Sequence, residues 1–375
     1  LRNYQQALQI TEELYGPDHP KVATTLNNLG TLFERMGEFD RSAECTERAL
    51  EIRERELGEE DPLTIGTIEN LGALAAARGN HETARQLFER NLDLKRRILD
   101  PNDPSLAISL NNLAVLLSNI GDLEAARPLL AESLEIRERV LGPDHPLVAS
   151  TIGNLAMIDH EMGNFESAAE LYELALVKME ASLGPDHRNL SFPMGNLAEL
   201  LRDQGEYERA RPLHERALVL RRDGFGEEHP LVANSLHNLG LVDRDTGDMG
   251  EALRKVTRAV EIYEKALPPD HPWLGAAVRD LAMVQLSIGN ADEAILAMER
   301  AVKILPEDPI VWYNVACLKV RTGDPEAAFE GLERAVELGF ADLEKIETDP
   351  DLESLRQDER FIEIVNRVGE SLAAG

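Results

Sequence analysis

Polar residues that could bind a metal ion or cap a helix recur along this chain at one constant interval. Five are histidines and two are aspartates: His19, Asp61, Asp103, His145, His187, His229 and His271. Histidine and carboxylate are common zinc ligands, but packed helices lie about 10 Å apart, so residues one repeat apart are too distant to share an ion. Aspartate caps helices by accepting a backbone N–H bond, and histidine can do likewise. We therefore predict helix caps here and no metal site.

The chain lacks the short motifs of the common catalytic and nucleotide-binding sites. It contains no G-x-x-x-x-G-K-[ST] loop, no G-x-G-x-x-G turn, no H-E-x-x-H helix and no C-x-x-C pair. Its two cysteines, Cys45 and Cys317, are too few for a disulfide framework or a cysteine-rich zinc site. We therefore expect a protein that is not an enzyme and needs no cofactor or metal.

A second polar column keeps the same interval inside a predicted helix. It consists of Asn28, Asn70, Asn112, Asn154, Asn196 and Asn238, followed by Asp280 and Asn314. Asparagine is unfavourable in a helix interior, because its side chain competes for backbone hydrogen bonds. A side-chain amide both donates and accepts, so this column could pair with a peptide unit of any sequence. Alternatively, each amide bonds to the neighbouring repeat and stiffens the array, and the two interpretations can coexist.

Both columns belong to an internal repeat with a step of 42 residues. The string GPDHP and its variants start at Gly16, Gly58, Asp100, Gly142, Gly184, Gly226 and Pro268. A glycine column keeps the same step through Gly37, Gly79, Gly121, Gly163, Gly205, Gly247 and Gly289. Two columns in register over 252 residues indicate a repeat array rather than a set of separate globular domains.

Each repeat has the pattern of two helices. The first opens at a proline, which suits the first helical position because its missing N–H costs nothing there, and Arg188 is the one departure. Apolar residues follow at helical spacing, as in Val22, Leu26 and Leu29, and the Gly37 column ends the helix in a tight turn. The second helix carries an alanine five residues past that glycine in six repeats: Ala84, Ala126, Ala168, Ala210, Ala252 and Ala294.

These residues resemble the tetratricopeptide repeat. In that family a Leu-Gly or Leu-Ala pair on the first helix is followed by a glycine eight residues after the leucine, and then by a small residue. The pairs Leu29-Gly30, Leu71-Gly72, Leu113-Ala114, Leu155-Ala156, Leu197-Ala198, Leu239-Gly240 and Leu281-Ala282 fit this pattern. The 42-residue step and the connector from Leu134 to Pro146 are similar to the kinesin-light-chain variety. The resemblance implies an all-α fold, a right-handed superhelical α-solenoid of helix pairs.

The resemblance also implies that the asparagine column faces a concave groove and holds the backbone of an extended peptide. Family members that clamp a chaperone's terminal carboxylate carry lysine four residues before this column. No lysine stands there in this chain, which disfavours that subclass. Gly153 and Gly195 predict a hollow beside Asn154 and Asn196, although neutral drift at solvent-facing positions is the alternative. The expected rim of the hollow, where we place a ligand side chain, is Met157, His160, Phe192, Glu199 and Arg202.

The charge balance excludes several classes of partner. The chain has 39 basic and 69 acidic side chains among 375 residues, a net charge of −30. Binding to nucleic acid or to an anionic membrane depends on lysine and arginine, so neither is expected, and basic or neutral protein partners are favoured. No apolar run approaches the length of a membrane span and no signal-like segment opens the chain. We therefore expect a cytoplasmic protein.

The array changes its step near the end. We expect residues 1–15 to be the partial second helix of a truncated repeat, 16–307 to be seven 42-residue units, 308–338 a classical 34-residue unit and 339–375 a helical cap. The last segment resembles the end of bacterial tetratricopeptide arrays. Its apolar stripe, suited to seal the final core, is Phe361, Ile362, Ile364, Val365, Val368 and Leu372. Because alignment of Ala7 with Ala49 places Leu1 inside a helix, we expect a fragment of a longer protein.

The repeats support three functional hypotheses. The first is a non-catalytic module that binds a peptide or protein segment in its asparagine-lined groove. The second is a sensor or regulatory arm of a larger protein, because kinesin-light-chain-like arrays in bacteria are often joined to nucleotide-switch ATPases, caspase-like peptidases or kinases. Its effector domain would lie upstream of Leu1 and could itself occupy the groove. The third is an architectural scaffold that self-associates through its N-terminal end.

Overall fold

The computed structural model describes residues 1–374, with side chains described through residue 370. Every regular element in this range is a helix, which confirms the all-α prediction. Within the same range, no helix combines the length and the apolar character needed to cross a lipid bilayer. The chain divides into two compact units, unit 1 from Leu1 to Pro185 and unit 2 from Asp186 onward. Each unit is a stack of helix pairs.

Unit 1 consists of a leading helix and four helix pairs. The leading helix is α1 (Arg2–Tyr15), and the first helices of the pairs are α2 (Pro20–Arg35), α4 (Pro62–Ala77), α6 (Pro104–Asn119) and α8 (Pro146–Glu161). The second helices are α3 (Phe39–Leu57), α5 (His81–Ile98), α7 (Leu123–Leu141) and α9 (Phe165–Leu183).

Unit 2 continues with four more pairs and a terminal segment. The first helices are α10 (Ser191–Asp203), α12 (Pro230–Asp245), α14 (Pro272–Ser287) and α16 (Pro309–Arg321). The second helices are α11 (Tyr207–Phe225), α13 (Met249–Ala266), α15 (Ala291–Ile304) and α17 (Pro325–Glu337). The terminal segment holds α18 (Leu343–Thr348), a 3₁₀ helix (Pro350–Leu355) and α19 (Glu359–Ala374).

The predicted caps and turns set these helix ends. The backbone N–H of Lys21 donates to Nδ1 of His19 at 3.1 Å, and that of Leu63 donates to Oδ1 of Asp61 at 2.8 Å. The other histidines of the column accept in the same way, so the cap prediction is confirmed. Gly37 ends the turn after α2 with φ +73°, a conformation that side-chain-bearing residues rarely adopt.

One first helix begins late, where Arg188 replaces the proline. Arg188–Leu190 form a 3₁₀ helix and α10 starts only at Ser191, so it has 13 residues where α8 and α12 have 16. The late start places Pro193 in the first turn of α10, where its missing N–H breaks no helical hydrogen bond. A helix starting at Arg188 would have put this proline in its interior.

Within each unit, successive helices pack against one another, and the first helices of successive repeats also touch. Such contacts join α6 to α8 in unit 1 and join α10, α12, α14 and α16 in unit 2. We call this layer of first helices the inner layer. The two helices of a pair approach closely at the Leu-Gly pairs, where a Cβ on Gly72 would lie 2.7 Å from the Phe88 ring. The predicted alanines of the second helices are fully buried, from Ala84 to Ala294.

A buried basic side chain joins successive repeats, and the sequence patterns above did not predict it. Arg53 donates from Nη1 to the Leu63 carbonyl at 2.9 Å and to the Thr67 hydroxyl at 2.5 Å. We call this arrangement a repeat joint. It recurs where Arg137 meets Leu147 and Thr151, where Arg221 meets Leu231 and Ser235, and where Lys95 meets Ser105 and Ser109. Burial among neutral acceptors lowers the pKa of the three arginines, that of Arg221 to about 10.

The terminal segment packs on the last helix pair of unit 2. Phe340 stacks on Tyr313 with 4.5 Å between ring centroids. Phe361, Ile364 and Val368 are buried in the same cluster, with Val365 partly buried beside them. Ile362 of the predicted stripe is half exposed because it points away from this cluster, and the side chain of Leu372 lies outside the described residues.

Candidate functional site

The asparagine column lies on the inner layer in both units. Its residues occupy equivalent places in the first helices. A leucine follows every member except Asn314, which precedes Val315, and this leucine is buried in most repeats. Asn28 and Asn70 are exposed, Asp280 is buried, and the remaining members, Asn112, Asn154, Asn196, Asn238 and Asn314, are half-buried. The asparagine amides therefore lie at the surface of the inner layer rather than in the helix-pair core.

Three of these amides in unit 1 bond to the preceding repeat. Nδ2 of Asn70 donates to Oδ1 of Asn27 at 3.1 Å. Nδ2 of Asn112 donates to Glu69 at 3.3 Å, and Nδ2 of Asn154 donates to Asn111 at 3.1 Å. In every case the acceptor stands just before the column residue of the previous repeat. These bonds support the stiffening interpretation for three of the members, and each leaves the amide oxygen and one N–H unused.

Unit 2 contains a charged version of the same contact. Nε2 of His237 lies 2.8 Å from Oδ2 of Asp280, and Arg279 donates to both oxygens of that carboxylate at 3.1 and 3.2 Å. Burial alone would raise the pKa of Asp280, but the bond to His237 and the charge of Arg279 hold it well below its usual range. Asp280 is thus ionised and fully engaged by its own unit.

Other members of the column make no such contact. The Asn238 side chain makes no hydrogen bond to the described part of unit 2, because the equivalent acceptor position is Gly195, which has no side chain. The side chains of Asn196 and Asn314 also make no hydrogen bond within the described part of unit 2. The side chain of Asn28 makes none among the described residues of unit 1. Within the described residues of their own units, these amides leave their hydrogen-bonding groups unused.

The two glycines of the predicted hollow have different surroundings. A Cβ built on Gly153 would meet no atom within 4 Å, so the space beside it is open. A Cβ on Gly195 would lie 3.3 Å from Nη2 of Arg221. That guanidinium also donates to the Ser191 carbonyl at 3.2 Å. The space beside Gly195 is therefore taken by the cation of a repeat joint.

The predicted rim residues divide between the units. Met157 and His160 lie half-buried on α8, where His160 packs edge-on against Phe165 with ring centroids 5.8 Å apart. Phe192 and Glu199 are exposed on α10, and Arg202 lies on the same helix. The charge of Glu199 acts on Arg202, so these two residues face the same region of unit 2.

Arg202 belongs to a cavity of about 460 Å³ within unit 2. Its walls come from the inner-layer helices α10, α12, α14 and α16 and from the terminal segment. Among the residues lining it are the predicted site residues Arg202, Asp280 and Asn314. Arg279 and Ile310, at positions next to and four residues before the column, also line it. Further lining residues that the sequence reasoning missed are Arg244, Arg321, Lys345 and Met283. The recurrence of a basic residue at Arg202 and Arg244, one repeat apart, was the available signal.

Sequence reasoning also missed two buried carboxylates. Asp159 is fully buried, accepts from Nε of Arg127 at 2.6 Å and Nη2 at 3.1 Å, and accepts from Ser167 at 2.6 Å. Asp243 pairs in the same way with Arg211 at 2.6 Å and with Lys255 at 2.5 Å. The arginine and the aspartate stand 32 residues apart in both cases, a spacing that a search for covarying pairs between repeats would detect.

The geometry defines a helix-pair repeat protein with a polar inner layer, and comparison with known proteins agrees. The sequence model described as tetratricopeptide repeat matches residues 1–55, 63–138, 111–177, 190–265 and 231–307. The chain belongs to the tetratricopeptide repeat family. Arrays of this family are generally non-catalytic protein-interaction modules.

Two solved structures match part of this chain. The crystal structure of BtubC (BKLC) from P. vanneervenii is 27% identical, with a TM-score of 0.52, over 60% of this chain and 91% of that one. A putative kinesin light chain from Podosopora anserina is 25% identical, with a TM-score of 0.46, over 54% of this chain and 96% of that one.

Two further matches are more distant or shorter. A Rap protein complexed with Competence and Sporulation Factor shares the fold, with a TM-score of 0.65 and 16% identity, over 94% of this chain and 99% of that one. A chloroplastic protein of Arabidopsis thaliana is 35% identical over 65 residues. That match spans 17% of this chain and only 19% of the Arabidopsis protein.

Proposed function

We propose that this chain is a non-catalytic module that binds a peptide or protein segment along its inner layer. One observation carries the proposal: the recurring amides of that layer keep unused hydrogen-bonding groups. Asn70, Asn112 and Asn154 each spend a single N–H on the preceding repeat. Asn238 and Asn314 spend none within the described part of unit 2. The general role of the family supports the same function.

An extended peptide is the ligand that suits such amides. Its backbone offers an N–H and a C=O at every residue, and a side-chain amide can pair with both. Bonds of this kind hold a segment whatever its sequence, so specificity has to come from neighbouring side chains. The open space beside Gly153 is one place for a ligand side chain, because a Cβ built on Gly153 would have no atom within 4 Å.

The test uses peptides selected without bias. A phage-displayed library is panned on the folded chain, and a selected peptide is labelled and titrated by fluorescence anisotropy. The variant Asn238→Leu with Asn314→Leu removes two unengaged amides, and Asn366→Leu on the exposed face of α19 is the matched control. We expect the double variant to bind at least about tenfold more weakly, since two hydrogen bonds are worth more than about 1.4 kcal/mol.

The control variant should bind like the unmodified chain, and circular dichroism should show that both variants remain helical. Unchanged affinity in the folded double variant would refute peptide binding through the column. An equal loss of affinity in the control variant would also refute peptide binding through the column. A library that yields no binding peptide would refute it as well.

A further inference from the structure

An apolar cleft lies in unit 2 where the step of the array shortens to 34 residues. It runs between the second helix α15 and the next first helix, α16, and has a volume of about 290 Å³. We call it the step cleft. Met298 and Leu318 are buried in it, and four other apolar side chains that line it are half-buried: Ile295, Val302, Trp312 and Val315. No member of the asparagine column lines the step cleft.

Three charged side chains complete the lining of the step cleft: Glu299, Lys303 and Lys319. In the described part of the chain, neither lysine has a carboxylate within ion-pair distance. Glu299 lies one turn before Lys303 on α15 and forms no ion pair among those residues either. Two unpaired cations and a single carboxylate therefore border an apolar space.

Earlier repeats show what can occupy the place of Lys319. Counted from the glycine column, Lys319 is equivalent to Asp243, and Ile295 is equivalent to Arg211. Arg211 pairs with the buried Asp243 at 2.6 Å, and Asp159 of unit 1 is paired in the same way. At the step cleft a cation replaces the acid, and an apolar residue replaces its arginine. The carboxylate that those repeats supply from their own side chains is missing here.

We propose that the step cleft binds a small aliphatic carboxylate, such as a medium-chain fatty acid. Its hydrocarbon tail would leave water for the apolar surface of Ile295, Val302 and Trp312. Its carboxylate would accept charge-assisted hydrogen bonds from the ammonium groups of Lys303 and Lys319. Because Lys319 is half-buried beside apolar side chains, water screens its charge less than it screens a fully exposed one.

The lining of the step cleft restricts the ligand in both charge and size. A neutral hydrocarbon would leave both ammonium groups without a partner, and a fully polar anion would leave the apolar walls in water. A volume of about 290 Å³ lies near the lower end of the range for small-molecule sites, which suits a ligand of the size of octanoate. The site is separate from the asparagine column, so this inference does not depend on peptide binding.

The experiment follows the fluorescence of Trp312, which lines the step cleft. The chain has two tryptophans, Trp273 and Trp312, so Trp273→Phe leaves Trp312 as the sole reporter. The full chain with this change is titrated with octanoate and with octan-1-ol, whose tail has the same length and no charge. We expect saturable binding of octanoate and at least about tenfold weaker binding of octan-1-ol. Isothermal titration calorimetry should give one octanoate per chain.

The variant Lys303→Gln with Lys319→Gln, made in the same background, removes both cations. It should bind octanoate at least about tenfold more weakly and leave the affinity for octan-1-ol unchanged. The control, Lys21→Gln with Lys265→Gln, removes the same number of charges at exposed positions outside the cleft. It should bind octanoate within about twofold of the parent, because distant exposed charges are screened. Circular dichroism should show that both variants remain helical.

Several results would overturn the proposal. They are equal affinities for octanoate and octan-1-ol, equal losses in the two lysine variants, and no saturable change in the fluorescence of Trp312. Asn238→Leu with Asn314→Leu should leave octanoate binding unchanged, because these amides lie outside the step cleft. A loss of octanoate binding in that variant would place the ligand on the inner layer and would also contradict the proposal.

Discussion

His214 provides the sharpest test of the packing, because a histidine is buried where other repeats have an apolar or aromatic residue. Its equivalents in neighbouring repeats are Leu130 and Tyr172, both buried. The His214 side chain is 1% exposed, and its Nε2 has no hydrogen-bond partner in the described structure. Burial, aided by the charges of Arg202 and Arg221, lowers the pKa of His214 to about 3.

The direction of the pH effect follows from that shift. The folded pKa of about 3 lies below the ordinary value of 6.5, so the unfolded chain binds a proton more readily. Stability contributed by neutral His214 is complete above about pH 6.5 and is lost as the pH falls toward 3. Between about pH 8 and about pH 5 the loss amounts to roughly 2 kcal/mol, since each pH unit below 6.5 costs about 1.4 kcal/mol.

His214→Leu removes this loss. We expect urea unfolding, followed by circular dichroism, to show that the variant loses about 2 kcal/mol less stability than the unmodified chain between those two pH values. It should also be more stable near pH 8, because an unpaired buried nitrogen costs about 1–3 kcal/mol. His81→Leu at an exposed position is the matched control and should leave the pH dependence unchanged. An acid-induced loss as large in His214→Leu as in the unmodified chain would refute the reasoning.

Two further predictions concern unit 1. Gly153→Ala should raise the free energy of unfolding by about 1 kcal/mol, because alanine favours the helix and meets no atom there. The same change should lower the affinity for a selected peptide whose side chain occupies the open space, measured by fluorescence anisotropy. An unaltered affinity would show that the ligand side chain lies elsewhere. Arg127→Leu should destabilise the chain by about 1–3 kcal/mol by leaving the Asp159 carboxylate buried without its cation. Adding Asp159→Leu to this variant should restore most of the lost stability in thermal melts. A further loss of stability would contradict the view that the unpaired carboxylate causes the destabilisation.

Local chemistry explains why the helix boundaries could be predicted from sequence. Proline at the first helical position, a capping side chain before it and a glycine after it each act within a few residues. The one boundary that differs, at α10, differs because Arg188 lacks the constraint that proline imposes on the backbone. The first turn then begins at Ser191.

The contacts between repeats could not be predicted in the same way. The repeat joint pairs Arg137 with Thr151, 14 residues later, and the amide bonds span 43 residues. Such partners meet only once the register between helices is fixed. The sequence left both roles of the asparagine column open, and the structure shows that three members bond to the neighbouring repeat. The missing side chain of Gly195 predicted an empty space beside that residue. The guanidinium of Arg221 occupies this space, and the sequence pattern alone could not show that contact.

The repeat joint also constrains how an array of this kind can change its length. Its two halves lie on opposite sides of a connector, since Arg137 precedes Gly142 and the acceptors Leu147 and Thr151 follow it. A duplication of one whole repeat that contains the joint cation also copies one set of acceptors, so the joint can form again at the new boundary. An insertion of another length would bury a guanidinium without acceptors, at a cost of about 3–5 kcal/mol. We therefore expect related arrays to differ by whole repeats, with the joint conserving the 42-residue step.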